Sequence, residues 1–495
     1  MTRYIISLLT VLAAAFVSKS AVTVTPAAAG LLSSLIENPA EVTEMSVSGP
    51  VNAYDLEFID TKMPRLASLD LSGATIEAST GQRLRGISTH PAGHIPARIF
   101  TGSNIRELLL PAKGDLTIGD AAFAGSAIEA ISVPSNVRTM GHGVFSGCPA
   151  LKSASIAASA IGESAFAGCP SLESVTLTVP VEVSDYAFSD CHKLAAVKGA
   201  ANITSIGRRS FADCTALAEF TFGNALTEIG DEAFLAAGMH EADLSACPVL
   251  DGVGDWAFAK MPMLESLNLG NAAWIGRGIV FDCPALKQLV LSGQTDSVPD
   301  LAYAKNTALD TVGIMHDNVV YIGDHAMHGM SQVKTITLPS SLEYIGDGAM
   351  EEMTGLQRIN ISAVTPPATG SEVWRGVDQP NVILQVPDAG ENDYRAADQW
   401  QNFAIFGVSG VEDILDEAAG ETLRARFEGD LLVIEATGLE LRRVSLYNVG
   451  GLLLAEADAA EGRAQFDTAG SADKVFLVGA VMSDGRSASL KIAKN

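Results

Sequence analysis

The apolar positions of this chain recur in columns that are far longer than a helical or strand period. A large apolar residue stands at Phe100, Phe123, Phe145, Phe166, Phe188, Phe211, Phe234, Phe258, Val280, Tyr303, Met327 and Met350, at intervals of 21 to 24 residues. Five residues before each lies a second column, Ile95, Ile118, Met140, Ile161, Val183, Ile206, Ile229, Val253, Ile275, Val298, Ile322 and Ile345. Five or six residues after each comes a triplet of the form L-x-x-L-x-L, as in Leu172, Val175 and Leu177 or Leu264, Leu267 and Leu269. The period-2 ending of the triplet predicts a short strand, and Pro111, Pro134 and Pro339 close it.

A unit with so few apolar residues cannot enclose a core, but stacked units bury each column against itself. Equivalent strands then pair in parallel, one coil about 4.8 Å above the next. The predicted fold is a solenoid of stacked coils over residues 21–365, each a β-strand plus a short helix or turn, sharing a parallel sheet. A cap follows over residues 366–408, then a small all-β domain over 411–495, where the period disappears and alternating runs such as LLVIEA from Leu431 and LRRVSLYN from Leu441 take over.

Three further columns accompany the apolar ones. Gly follows the Ile column, as at Gly141, Gly207 and Gly254, where a tight turn into a short helix calls for backbone freedom. An acidic residue comes next, at Asp120, Asp185, Asp231, Asp255, Asp300, Asp324 and Asp347. Stacked carboxylates suggest a calcium ladder. Capping of the turn that carries the aromatic is favoured instead, because His142, Glu163, Arg208 and Arg277 occupy the same column. Cys148, Cys169, Cys191, Cys214 and Cys283 sit three residues after the aromatic position, Cys247 alone being off register, and are read as small buried thiols rather than disulfides or zinc ligands.

The N-terminus, with Arg3 before an apolar run from Tyr4 to Val17 and small residues after it, reads as a signal peptide over residues 1–20. That run is well short of the ~20 residues that span a bilayer, so no membrane insertion is expected after signal removal. The formal charge of −26, from 58 acidic against 32 basic residues, argues against nucleic acid and anionic lipid as partners.

The repeat resembles the BspA-like leucine-rich repeats, whose unit reads roughly I-G-x-x-A-F-x-x-C-x-x-L-x-x-I-x-L-P, as in IGESAFAGCPSLESVTL from Ile161. Segments from Ala29, Val42 and Met63 look like the family's N-terminal capping turns, and TPPATGSEVW from Thr365, ILQVPDAGENDY from Ile383 and AADQWQNFAIFG from Ala396 look like its closing segment. The last domain is similar to type IX secretion sorting domains, with VSLYNVGG, an SDG turn at Ser483 to Gly485, a last strand SLKIAKN, and Phe476 where a G-x-Y is expected. An immunoglobulin-like spacer is the alternative for it. The resemblance implies an adhesin, secreted or on the outer surface of a Gram-negative bacterium, that binds host extracellular-matrix or other surface proteins. A glycan-binding surface module is the alternative.

Signatures of catalysis are missing from the sequence: it contains no G-x-S-x-G, H-E-x-x-H or P-loop, and an enzyme, a cofactor or a metal is not expected. The pair His90 and His94 is separated by Pro91 and Gly93, and the pair His325 and His328 lies in a repeat turn; both are set aside as ligands. The binding candidates are the strand residues that alternate with the apolar triplet and so face solvent: Ser153, Ser155, Ser174, Thr176, Glu219, Thr221, Glu241, Asp243, Ser266 and Asn268. They are expected on one continuous sheet face, with an acidic middle and a distortion near Gly199, which replaces an apolar triplet residue.

Overall fold

In a computed structural model of the chain most of the triplets end in strands and the aromatic column is a ladder. The structure describes residues 20–84, 87–312, 315–408, 422–437, 441–448, 453–459, 462–469, 475–482 and 487–493. Residues 1–19 of the expected signal peptide and the SDG turn lie outside these. The chain forms two compact units, one ending at Gln294 and the other starting at Thr295.

In the first unit, eight parallel strands make one sheet: Ala21–Val24, Glu44–Val51, Ser68–Ile76, Glu107–Leu109, Ala130–Val133, Ser153–Ile156, Ser174–Leu177 and Ala196–Lys198. Buried and outward residues alternate in most of them, Ile131 and Val133 being buried while Ala130 and Ser132 are exposed; the register shifts between Glu44–Val51 and Ser68–Ile76, and Val197 is only half-buried. The Ile column forms a second set of short parallel strands. Three of them are His94–Ile95, Leu116–Ile118 and Val137–Met140. Six more run from Ala160–Ile161 through Val181–Val183, Ile203–Ile206, Glu228–Ile229 and Gly252–Val253 to Trp274–Ile275.

Between the two sets of strands lie the aromatics. Successive rings from Phe100 to Phe258 stack at 5.3 to 5.5 Å, within 16° of parallel. All of them are fully buried, and so is Val280, which continues the column. The neighbouring Phe281 instead meets the edge of Trp256.

Of the short helix or turn expected for each coil, the aromatic is carried by a turn. The backbone is left-handed at the residue after the acidic column, as in Ala121, Tyr186 and Glu232, and again two residues beyond the aromatic, as in Gly168, Asp190 and Asp213. A helix cannot pass through such residues. Nor do the column glycines supply that freedom, since none of Gly141, Gly207 and Gly254 is left-handed. They are small because coils approach closely there: a Cβ at Gly254 would lie 2.5 Å from the amide nitrogen of Asp231 one coil earlier.

An α-helix, Ala53–Lys62, closes the first unit at its N-terminal side. Asn52 and Asp55 form a reciprocal capping box, and the buried Asp55 carboxylate also accepts from the N–H groups of Gly30 at 2.6 Å and Leu32 at 3.0 Å.

The second unit has coils of the same kind. Ser297–Val298, Tyr321–Ile322, Tyr344–Ile345 and Ala368–Thr369 pair in parallel, as do Thr335–Leu338, Arg358–Ile361, Ile383–Pro387 and Ala404–Val408. Tyr303, Met327 and Met350 are buried in the aromatic position, and Trp374 takes the next turn of the column, its coil marked by the amide of Met350 donating to Val373. Trp374 packs edge-on to Trp400 and Phe403, and Trp400 Nε1 donates to the Pro367 carbonyl at 3.0 Å.

Beyond residue 422 two antiparallel sheets, one of three strands and one of four, share a core that includes Leu432, Ile434, Val444, Leu446, Phe466, Phe476 and Val478. This is the all-β region that the alternating runs predict.

Candidate functional site

The candidate binding residues face outward as the triplet dictates, but not on one continuous sheet. Ser153 and Ser155 pair with Ser174 and Thr176, which pair with Ala196 and Lys198. There the eight-stranded sheet ends. Glu241 and Asp243 pair with Ser266 and Asn268, and these with Gln288 and Val290, in a separate three-stranded sheet. Glu219 and Thr221 are exposed but belong to no strand.

Side-chain size explains the break. Gly199 is left-handed at φ 75° and a short 3-10 turn, Ala200–Asn202, follows it. In the next coil both late triplet positions are Phe: Phe220 and Phe222 wedge against the Phe column, with the Phe220 ring 5.2 Å from Phe211 and 5.0 Å from Phe234. The acidic middle therefore lies at the discontinuity. Two candidate residues there also hold their own strand ends, because Asp243 accepts from the Ser245 N–H at 2.9 Å and Asn268 from that of Gly270 at 3.0 Å.

A second outward surface was not anticipated. On the Ile-column strands of the first unit, a concavity of about 730 Å³ is lined by Glu163, Glu182, Asp185, Glu228 and Asp231 together with His142, Arg208 and Trp274. Trp274 is 42% exposed, and its indole lies directly over Gly252, where a Cβ would overlap the ring. The signal was present in the sequence as an aromatic immediately before Ile275, a place where neighbouring coils carry Ser205, Glu228 or Gly252 and only the later coils carry Tyr321 and Tyr344.

The acidic column caps, though across coils. Asp120 accepts from the His142 N–H at 3.0 Å, Asp185 from Arg208 at 2.8 Å, Asp255 from Arg277 at 2.8 Å, and Asp324 from Asp347 at 2.8 Å. Each carboxylate thus satisfies a backbone donor at the same place one coil later. The five in-register cysteines behave in parallel fashion. Each is buried and directs its thiol at the carbonyl of an aromatic-column Phe on the preceding coil, at 3.1 to 3.3 Å. Burial pushes the Cys283 thiol up to about 12, so at neutral pH it is a donor and not a nucleophile.

The His pairs have different environments. His90 is buried, and His94 Nδ1 shares a 2.8 Å hydrogen bond with Thr117 Oγ1. His325 and His328 converge with a residue of the next coil, Glu351, whose carboxylate is buried. Burial lowers the pKa of His328, an effect that outweighs the opposing pull of Glu352.

Stacked coils with a parallel strand each, an aromatic ladder inside and small polar rows outside define a leucine-rich-repeat solenoid. The chain belongs to the family described as BspA type leucine rich repeat region, six copies of which match within residues 93–198, 181–310 and 306–366. Among solved structures, a leucine-rich repeat protein from Bacteroides ovatus ATCC 8483 has 20% sequence identity and a TM-score of 0.50, over 76% of this chain and 85% of that one. The pneumococcal vaccine antigen PcpA has 15% identity and a TM-score of 0.32, over 74% and 90%. A leucine rich cell surface protein from Faecalibacterium prausnitzii A2-165 has 20% and 0.28, over 57% and 86%. No curated protein matches the chain in sequence.

Proposed function

We propose that this protein is an exported, surface-exposed or secreted adhesin that binds a host matrix or other surface protein along the strand face of its solenoid, without catalysing a reaction. The observation that carries this reading is the register of the outward rows. Ser153 lies beside Ser174 and Ser155 beside Thr176, with Ala154, Ile156, Val175 and Leu177 turned inward, so that short polar side chains present a flat surface over successive coils. Such a face suits an extended protein segment held by many modest contacts. Glu219, Glu241 and Asp243 favour a basic stretch of that segment, with binding that weakens as salt screens exposed charges. The two-sheet domain after residue 422 fits the role of a type IX sorting signal, and a leader at residues 1–20 fits export.

The test is a binding screen of the full chain against matrix proteins, followed by Glu241→Lys combined with Asp243→Asn. Asn keeps the acceptor for the Ser245 N–H, so the strand end survives while the charge changes. Weaker binding by this folded variant supports the reading, and undiminished binding moves the site off this face. A second reading, a glycan-binding module, is favoured by one observation: Trp274 offers a partly exposed ring in the concavity that Glu182 and Glu228 also line, and carboxylates accept hydrogen bonds from sugar hydroxyls.

A further inference from the structure

We propose that His325, His328 and Glu351 form a site for a divalent transition metal, with zinc as its simplest occupant. The site is assembled by the repeat itself. His325 is the left-handed residue of its turn, at φ 53°, and His328 follows the buried Met327; Glu351 follows the buried Met350 at the equivalent place one coil later.

The distances select a metal over a hydrogen bond. Nδ1 of His325 lies 3.4 Å and Nδ1 of His328 3.5 Å from the same oxygen, Oε2 of Glu351. Nitrogen to oxygen hydrogen bonds close at about 2.7 to 3.2 Å. Two ligands at ~2.0 to 2.2 Å from one tetrahedral zinc stand roughly 3.4 Å apart, which is the edge found here. The ligand atoms all fall within 4.8 Å of one another.

Three features of the surroundings fit the same ligand. The Glu351 side chain is 2% exposed, and a carboxylate so buried requires positive charge. Arg375 pairs with its Oε1, itself balanced by Glu372 at 3.1 Å, and this orients Oε2 toward the imidazoles. His328 Nδ1 is buried and has no hydrogen-bond partner among the described residues, leaving a lone pair or proton directed at the space between the three side chains. Gly348 makes that space, since a Cβ there would come within 2.6 Å of His325 Nδ1 and 3.0 Å of Glu351 Oε2.

Outside the ligands, Glu352 Oε2 stands 3.8 Å from His328 Nε2, beyond hydrogen-bond distance but near enough for its negative charge to favour a cation at the site. Two imidazoles and one carboxylate are a donor set for zinc and its neighbours rather than for calcium or magnesium, which take oxygen. The His325 side chain is 47% exposed, so an ion enters from solvent and a water completes the fourth position.

The experiment loads the full-length chain with zinc chloride after chelator treatment and gel filtration, and measures retained zinc by mass spectrometry. Cobalt(II) absorption then reports the coordination geometry. The expected result is a single zinc per chain and intense tetrahedral cobalt bands. His325→Ala and His328→Ala should each weaken binding by about tenfold or more. His94→Ala should leave it unchanged. Since Glu351→Gln alters a buried group and risks misfolding, the half-exposed His325 variant, with its fold checked by circular dichroism, is the decisive one. Failure to retain zinc, or zinc held equally well by both His variants, overturns the proposal.

Discussion

Asp231 Oδ1 accepts a 2.9 Å hydrogen bond from the backbone N–H of Asp255, the residue at the same place one coil later. Asp255 passes the relation on to the Arg277 N–H, so each carboxylate serves the next coil. Asp255→Ala is expected to cost about 1 kcal/mol, as loss of a cap does, and Asp255→Asn less, since the amide oxygen can still accept. Amide hydrogen exchange at Arg277 should quicken in the Ala variant while exchange at Arg208 stays as it was. Equal exchange at Arg277 in both proteins would mean that the cap does not hold the turn.

Two glycines at different places in the repeat, Gly168 beyond the aromatic and Gly254 in the glycine column, separate two physical demands that look alike in sequence. Gly168 is left-handed at φ 64° with nothing within 4 Å of an added Cβ, so Gly168→Ala should cost about 1 to 2 kcal/mol for the backbone alone. At Gly254 the conformation is ordinary, but the added carbon would meet the Asp231 amide nitrogen at 2.5 Å and its carboxylate at 2.6 Å. Gly254→Ala forces two coils apart and should cost about 3 kcal/mol, the upper end of overpacking. Chemical denaturation of the two variants decides, and the reverse order of stabilities would return the glycine column to the role of turn former.

The apolar ladders were legible because burial on every coil leaves only large apolar residues at a fixed period. Even Val280 could be placed, since Cys283 keeps the offset of three seen after Phe166 and Phe188, and the structure buries Val280 while Phe281 turns to Trp256. Trp374 escaped because its coil carries Thr369 where the others carry Ile, Val or Met. The turn conformation also escaped, for left-handed residues such as Tyr186 and Trp256 have no side-chain signature and are enforced by hydrogen bonds between coils. His325 and His328 were visible as a pair, but their third partner is supplied by stacking and lies in the next coil. The interruption of the binding face was signalled at Gly199, yet its cause sits one coil later in the bulk of Phe220 and Phe222.

All six cysteines are buried thiols, and those of the column donate to carbonyls within the solenoid. Burial raises the Cys247 thiol to about 11 and that of Cys283 to about 12, which leaves very little thiolate at pH 8. The native protein should therefore react slowly with a thiol reagent and release six equivalents on denaturation, with or without prior reduction. Fewer than six thiols in the unreduced, denatured protein would place a disulfide in the ladder.

Trp274 lies over Gly252 with 42% of its surface exposed, whereas Trp374 and Trp400 are buried and Trp256 is only partly accessible. Fluorescence that iodide can quench should come chiefly from Trp274, and Trp274→Ala should remove most of it without changing the melting temperature. If a glycan is held in the concavity between Glu182, Glu228 and this ring, the same variant should lose roughly tenfold in affinity, about the worth of one aromatic face. A protein partner lying along Ser153, Ser174 and Ser266 makes no use of that ring, and its binding should be the same in the variant. The two readings of function thus predict opposite outcomes for one substitution: loss of ligand in Trp274→Ala with full retention in the Glu241 and Asp243 double variant selects the glycan, and the converse selects the protein.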